Sequence, residues 1–316
     1  MAPLAGSSHV SAIDPRHGQP AILDEMRLGL VGFGLIGGSI AKAVRSSASG
    51  WTVAAWSPSG NGPRAALEDG MIHAASASIE AVLDGADLIV LAVPPLACIA
   101  LLDELGGSLR GSLADDAVVT DVASTKGQLV ERAISAGVRF VGGHPIAGRE
   151  TAGWEASSAD LFHDRPWVIV PSDPVDGGAR ERVEALATAC GARPLAMTAA
   201  DHDEAVAAIS HLPLLVAAAL VEAVTTSADG TIRADWPSAA ALAASGWQSS
   251  TRLARGDVEM GSGIVATNAP AIAGRLRDLR AVIDVWLAEL ERADGPDPAA
   301  VSRRLAAARR RLEEAG

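Results

Sequence analysis

The sequence predicts an α/β chain, with a doubly wound sheet domain over residues 26–197 and an all-helical domain over 198–316. Three observations carry that prediction. Short apolar runs at 27–31, 52–56, 86–93 and 117–122 alternate with stretches of helical spacing, the pattern of parallel strands joined by crossover helices. The first run passes straight into glycines spaced G-x-G-x-x-G and then into a helical segment. From Thr198 onward the chain is rich in Ala and Leu at helical periodicity, with breaks expected near Asp229-Gly230, Ser245-Gly246 and Gly261-Ser262-Gly263.

Residues 1–25 mix Pro, Gly, Ser and His with no basic segment leading into an apolar core, so they read as a flexible tail rather than a secretory signal. The strand at 27–31 then meets Gly32-Phe33-Gly34-Leu35-Ile36-Gly37-Gly38-Ser39 and a helical run at 40–46. Strand, glycine turn and helix in that order form a Rossmann-type dinucleotide site. Gly32 makes the tight reversal, Gly34 lets the backbone approach a pyrophosphate, and Gly37 packs helix on strand. Gly34, Leu35, Ile36 and Gly37 belong to this turn as candidate cofactor contacts, and the N-terminus of the helix after it faces the phosphates.

The strand at 52–56 ends at Ser57, where an NAD-binding chain carries a carboxylate for the ribose hydroxyls. Nothing there repels a 2'-phosphate, and Ser59 and Arg64 follow at the start of a helix expected at 63–69. The cofactor is therefore NAD or NADP, with the balance tilted to NADP; Arg64 reads equally as an ordinary solvated cation. The run at 86–93 is apolar throughout, as in a strand buried on both faces, and Val93-Pro94-Pro95 ends it beside the glycine turn. A helix to about residue 109, the strand at 117–122, and Ser124 before the next helix come after it. Ser124 reads as a site residue or as a plain helix N-cap.

Phe140-Val141-Gly142-Gly143-His144-Pro145-Ile146-Ala147-Gly148 is the stretch most suited to chemistry. Its two glycines are expected to turn the backbone sharply near a ligand, and His144 has the ordinary pKa, near 6.5, of a residue that takes up or releases protons at neutrality. The competing reading is a histidine that caps a strand. Strands at 167–171 and 193–197 around a helix at 174–190 complete the sheet domain. In such sheets ligands lie beyond the carboxyl ends of the strands, so Pro94, Ser124 and His144 are expected to line one crevice.

Composition excludes some partners. A formal net charge of −12 argues against nucleic acid, since neutralising phosphates needs clustered Lys and Arg. The longest apolar run, 212–221, is shorter than the roughly 20 residues of a membrane span and is interrupted by Pro213, so no membrane association is expected. Cys98 and Cys190 lack metal-ligand spacing and read as buried thiols of a cytoplasmic protein with no metal. Long Ala-rich helices bury broad apolar faces, which points to a homodimer formed through the helical half. A charged amphipathic helix over 303–314 closes the chain.

Four stretches in register resemble one family. They are Thr120-Asp121-Val122-Ala123-Ser124-Thr125-Lys126, the Gly142-to-Gly148 stretch, Ser210-His211-Leu212-Pro213, and Thr251-Arg252-Leu253-Ala254. Behind the N-terminal glycine motif, over about residues 26–290, they look like the prephenate and arogenate dehydrogenases of tyrosine biosynthesis. The resemblance implies oxidative decarboxylation of a small cyclohexadienyl substrate with hydride transfer to NAD(P). His144 matches the family's catalytic histidine, and Ser124 the serine that orients this histidine and the substrate near the nicotinamide. Arg252 matches the arginine that binds a substrate carboxylate, and Ser210 and His211 line the cleft from the second domain. Glu150 matches an acidic residue at the mouth of the site. His211 reads equally as a satisfied core histidine, and Arg252 as a surface charge.

Two departures bear on the substrate. Leu214 stands where many prephenate users have a second histidine, and Ser249 where many have Asp. Two other readings compete. A dehydrogenase of the 3-hydroxyacid type calls for a catalytic lysine on the first long helix, and none lies between residues 198 and 228. A nucleotide-binding sensor has no need of His144, Ser124 and Arg252 together.

Overall fold

The computed structural model describes residues 25–315, apart from 48, 150, 152 and 173–176. The expected tail at 1–25 thus lies outside the described residues except for Glu25, and so does Glu150. The chain divides into two compact units, the first reaching Ala269 and the second beginning at Pro270.

The first unit is built on one eight-stranded sheet. In chain order its elements are β1 (Arg27–Val31), α1 (Leu35–Ser46), β2 (Thr52–Trp56), α2 (Asn61–Glu68), β3 (Ala74–Ala75), α3 (Ile79–Leu83), β4 (Leu88–Leu91) and α4 (Pro95–Gly106). There follow β5 (Val118–Asp121), α5 (Gly127–Ala136), β6 (Phe140–Pro145), β7 (Pro166–Pro171), α6 (Gly177–Ala189) and β8 (Arg193–Ala196). The strand order is β3-β2-β1-β4-β5-β6-β7-β8. Neighbouring strands run parallel except at β6 and β7, which pair antiparallel with His144 opposite Val168. Within β4, Leu88 and Val90 join one core cluster while Ile89 and Leu91 join another, so each face of the sheet is covered by its own apolar layer. That is the doubly wound arrangement read from the alternating pattern, and it explains why the strand had no polar face. The two-residue β3 and the short α3 were too brief to leave a periodic signal.

Helices follow the sheet. They are α7 (Ala199–Val206), α8 (Leu212–Thr225), α9 (Trp236–Ala240), α10 (Ser245–Thr251) and α11 (Val258–Thr267), with a 3-10 turn at Arg252–Arg255. The second unit holds most of α12 (Ala269–Leu290) and all of α13 (Pro298–Ala315), the latter longer than the charged run expected at 303–314. Within it the Arg304 guanidinium lies over the Trp286 ring at 4.5 Å, and Asp297 N donates to Glu289 Oε1 at 2.7 Å.

Three local expectations are corrected. The helix after the glycine motif begins at Leu35, because Gly37 and Gly38 sit inside it, where they let it lie tight on its surroundings. Gly261-Ser262-Gly263 does not break the chain but lies within α11, where a side chain on Gly263 would come within 3.2 Å of Pro95. Pro213 does not interrupt the apolar run either. A π-helical turn at Ala207–His211 joins α7 to α8, and Pro213 falls in the first turn of α8, where a missing amide hydrogen is tolerated. The result is one helical stretch of 27 residues, Ala199–Thr225, long and apolar enough to cross a membrane. Its first turns nonetheless carry Asp201, His202, Asp203 and Glu204, of which His202 and Asp203 are buried against β6 and the start of α5. Cys98 and Cys190 are free buried thiols, as expected.

Candidate active site

The strand order reverses between β1 and β4, which opens a crevice at their carboxyl ends. Gly32 sits there with φ of +95°, and a Cβ on it would lie 2.3 Å from the Ala92 carbonyl oxygen and 2.7 Å from Val93 Cγ1. A Cβ on Gly37 would meet the Gly32 carbonyl oxygen at 2.4 Å. Around Gly34, in contrast, a Cβ would meet nothing within 4 Å. Two glycines are thus required by the protein's own packing, and the third faces open space before the first amides of α1, which no side chain caps. Leu35 and Ile36 form that first turn, and Pro94 caps α4 on the far side of the crevice. This is a fit for a dinucleotide pyrophosphate.

At the end of β2, Arg64 folds back over the loop. Its guanidinium donates to the Ser59 carbonyl at 3.3 Å and to Asn61 Oδ1 at 2.6 Å, next to Gly60. Ser57, half-buried, opens that loop. Ser59, Arg64 and the Ser57 turn are gathered where a ribose and its substituents are expected.

Beyond β5 lies a wholly buried ion pair, Lys126 Nζ with Asp121 Oδ2. Asp121 also accepts from Ala123 N at 2.9 Å and, through Oδ1, from Gly143 N at 3.0 Å. The two glycines before His144 therefore do not make the expected turn; they lie within β6. Side chains there would collide with the Asp121 carbonyl at 2.6 Å and with Lys126 Cδ at 2.9 Å. Their role is to let the strand settle on the β5–α5 loop.

His144, next to last in β6, is held at one ring nitrogen. Its Nδ1 lies 2.8 Å from His202 Nε2, and His202 Nδ1 lies 2.8 Å from Asp203 Oδ1, with the two rings edge-on at 78°. Asp203 in turn accepts from Lys126 N through Oδ1 and from Gly127 N through Oδ2, both at 2.8 Å. A carboxylate from α7 thus caps the N-terminus of α5. Ser124 is therefore not the cap; its Oγ is buried and without a hydrogen-bond partner, just beyond the strand adjacent to β6. Burial, then the nearby His202, Lys126 and His211, hold the His144 pKa well below the ordinary imidazole value. The expected titration near 6.5 is corrected accordingly.

His211 is buried on the π-helical turn, and Asn268 ties it to the same network. Asn268 Nδ2 donates to the Asp203 carbonyl at 2.8 Å and stands 3.2 Å from His211 Nδ1. His211 Nε2 is buried with no partner. Burial lowers its pKa to about 4, the attraction of Asp203 notwithstanding. Ser210 beside it is exposed, Leu214 lies 3.8 Å from the Cβ position of Gly261, and Arg252 is exposed at the start of the 3-10 turn that packs on α8.

His202, Asp203, Asn268 and the Lys126–Asp121 pair escaped the sequence reading. A signal existed for two of them. Thr198 caps α7 by accepting from Asp201 N at 3.0 Å, and counting from that cap places His202 with Val206 and Asp203 with Ala207 on one buried stripe.

Comparison with known proteins points to one family. Residues 40–195 match the family model described as prephenate dehydrogenase, nucleotide-binding domain, and residues 198–301 match the prephenate dehydrogenase dimerization domain. Prephenate dehydrogenase of Bacillus subtilis (strain 168) is 30% identical over 266 residues, which are 83% of this chain and 68% of that protein. The structure of Synechocystis arogenate dehydrogenase matches with a TM-score of 0.73 at 30% identity, over 91% of this chain and 100% of that one. Prephenate dehydrogenase from A. aeolicus, solved with hydroxyphenyl propionate and NAD+, matches with a TM-score of 0.76 at 26% identity, over 91% and 98% of the two chains. The two family models together span the greater part of the sheet and of the helices that follow it, and the chain belongs to the prephenate dehydrogenase family.

Proposed function

We propose that His144 is the base in an oxidative decarboxylation of a cyclohexadienyl substrate and that the crevice beside it holds the nicotinamide. The observation that carries this is a part-buried imidazole, its pKa held well below the ordinary value, near the carboxyl end of β6, the same end of the sheet at which β1 and β4 open the dinucleotide crevice. Nicotinamide supplies the hydride acceptor when bound. The protein's part is to make the substrate oxygen electron-rich while hydride leaves the same carbon. His144 takes the ring hydroxyl proton, which lowers that barrier. As the ring carboxylate departs as carbon dioxide, the electron pair of the broken bond makes the ring aromatic, and His144 returns the proton to the phenolate oxygen.

Ser124 Oγ, buried and unpaired, is the hydrogen-bonding partner for substrate next to His144. The unpaired Nε2 of His211 is a second polar contact inside the cleft, with Ser210 on the adjoining position. Arg252 anchors a substrate carboxylate through its bidentate fork, and the family resemblance assigns Glu150, which lies outside the described residues, to the mouth of the site. Gly32, Gly34, Leu35, Ile36, Gly37, Val93 and Pro94 hold the dinucleotide. The missing carboxylate at Ser57, with Arg64 folded on Ser59, favours NADP. The protein acts as a homodimer in the cytoplasm.

Leu214 offers no donor to a substrate keto group and no acceptor to an ammonium, so arogenate turnover is at least comparable with prephenate turnover. Steady-state kcat/KM with both substrates and both cofactors tests the proposal. NADPH appearance with arogenate, and a shift toward prephenate in Leu214→His, are the expected results. A protein that reduces neither cofactor with either substrate refutes the function, and one that ignores arogenate refutes the specificity.

A further inference from the structure

Three side chains run in a line from the candidate base into the protein, from His144 to His202 to Asp203. We infer that His202 and Asp203 are positioning residues that fix His144 as the tautomer with its proton on Nδ1 and its lone pair on Nε2. The inference rests on the reading of His144 as the base.

The argument starts at the inner end. Asp203 accepts two backbone N–H groups at 2.8 Å, one on each carboxylate oxygen. Burial pushes its pKa up, but the His202 hydrogen bond and the two amides outweigh this and leave it below the ordinary carboxylate value. It is therefore ionised at neutral pH, and an ionised carboxylate only accepts. The proton between Asp203 Oδ1 and His202 Nδ1 thus belongs to His202. A neutral His202 then has a bare Nε2, so the 2.8 Å contact to His144 is made by a proton on His144 Nδ1. A neutral imidazole carries only one such proton, and His144 Nε2 is left with its lone pair.

Without this backing either tautomer of His144 is available, and the one protonated on Nε2 is no base at that atom. A protonated His202 has the same effect, since its Nε2 donates and forces His144 Nδ1 to accept. Burial, then His202 itself, Lys126 from the β5–α5 loop and His211 from the π-helical turn all disfavour a positive charge on His144. Lys126 is itself paired with Asp121, and Asn268 holds the Asp203 backbone from α11's end. The line is rigid because Asp203 also caps α5: moving it uncovers the two amides of Lys126 and Gly127. The same logic, a carboxylate that orients an imidazole and sets its tautomer, operates in hydrolytic triads; here a second histidine is interposed.

The test uses the intact protein with 15N-labelled histidine, the His144 signals being identified by their loss in His144→Asn. At neutral pH wild type is expected to show His144 protonated on Nδ1; a proton on Nε2 overturns the inference whatever any variant does. In His202→Leu, kcat is expected to fall on the order of 100-fold, the scale of a general-base contribution, with KM and dinucleotide affinity within about twofold of wild type. His202→Gln keeps the direction of both hydrogen bonds, its amide oxygen accepting from His144 and its NH2 donating to Asp203, and is expected to recover most of that loss. Full activity in His202→Leu, or a glutamine variant no better than leucine, overturns the inference. Should wild type oxidise neither cyclohexadienyl substrate, the functional reading fails, while the tautomer measurement still decides this one.

Discussion

His144 shows how far a residue's behaviour departs from its type. An imidazole in water titrates near 6.5, and a base with that pKa gives a kcat/KM that rises through slightly acid pH. Part-buried beside His202, with Lys126 and His211 near, this one is held well below that value by desolvation first and by these neighbours next, so its neutral form persists into acid. The sign follows directly: activity needs the neutral form, a lowered pKa extends it downward, and the acid limb moves below 6.5. A pH profile that is flat from neutrality down through 6.5 and falls only at lower pH is expected; a limb centred at 6.5 contradicts the burial argument. His144→Asn should lower kcat by about 10²-fold or more and leave dinucleotide affinity nearly unchanged. Parallel loss of both points to a structural histidine instead.

At the scale of elements, the glycine turn and the α5 N-terminus divide the work. Gly37 and Gly34 look alike in sequence but differ in what their missing side chains leave room for. A methyl group on Gly37 meets a carbonyl oxygen at 2.4 Å, and one on Gly34, whose φ of −99° suits any residue, meets open space. Gly37→Ala is thus expected to destabilise the fold by about 1–3 kcal/mol, the usual cost of overpacking. Gly34→Ala should keep the wild-type melting temperature and weaken dinucleotide binding about tenfold or more, ~1.4 kcal/mol. Thermal melts and a fluorescence titration with NADP separate the two, and a Gly34→Ala protein of unaltered affinity removes the pyrophosphate from that space. Helix α5 offers a different lesson. Its N-terminal amides are taken by Asp203 rather than by a ligand, whereas those of α1 at the crevice have no side-chain cap.

At the scale of the molecule, the apolar surface left on the helices is the notable feature. In the second unit Val282, Ile283, Val285, Leu287 and Leu290 are each about half exposed or more. Patches of that kind mark association surfaces, and residues 198–301 match a dimerization domain. Sedimentation equilibrium is expected to give twice the subunit mass, and Ile283→Asp with Val285→Asp to shift it toward the monomer. A monomeric wild type rejects the dimer. Of the whole molecule, the sheet and its cofactor crevice were legible in the chain, because alternating apolar runs and glycine spacing are local signals. Elements of two to five residues, β3 and α3, left none.

The sequence by itself determined the α/β class, the glycine turn and the free buried cysteines, and it is the source of the proposal that His144, Ser124 and Arg252 serve the site, each written in neighbouring residues. Tertiary structure alone decided what surrounds them. His202 and Asp203 stand 58 and 59 positions beyond His144, and Asn268 is 65 beyond Asp203, so no local pattern joins them. The glycines before His144 turned out to clear a path for Asp121 and Lys126 rather than to bend the chain. A histidine's pKa and tautomer depend on which charges and donors lie within a few ångströms, and in this chain those groups arrive from three separate stretches that only folding brings together.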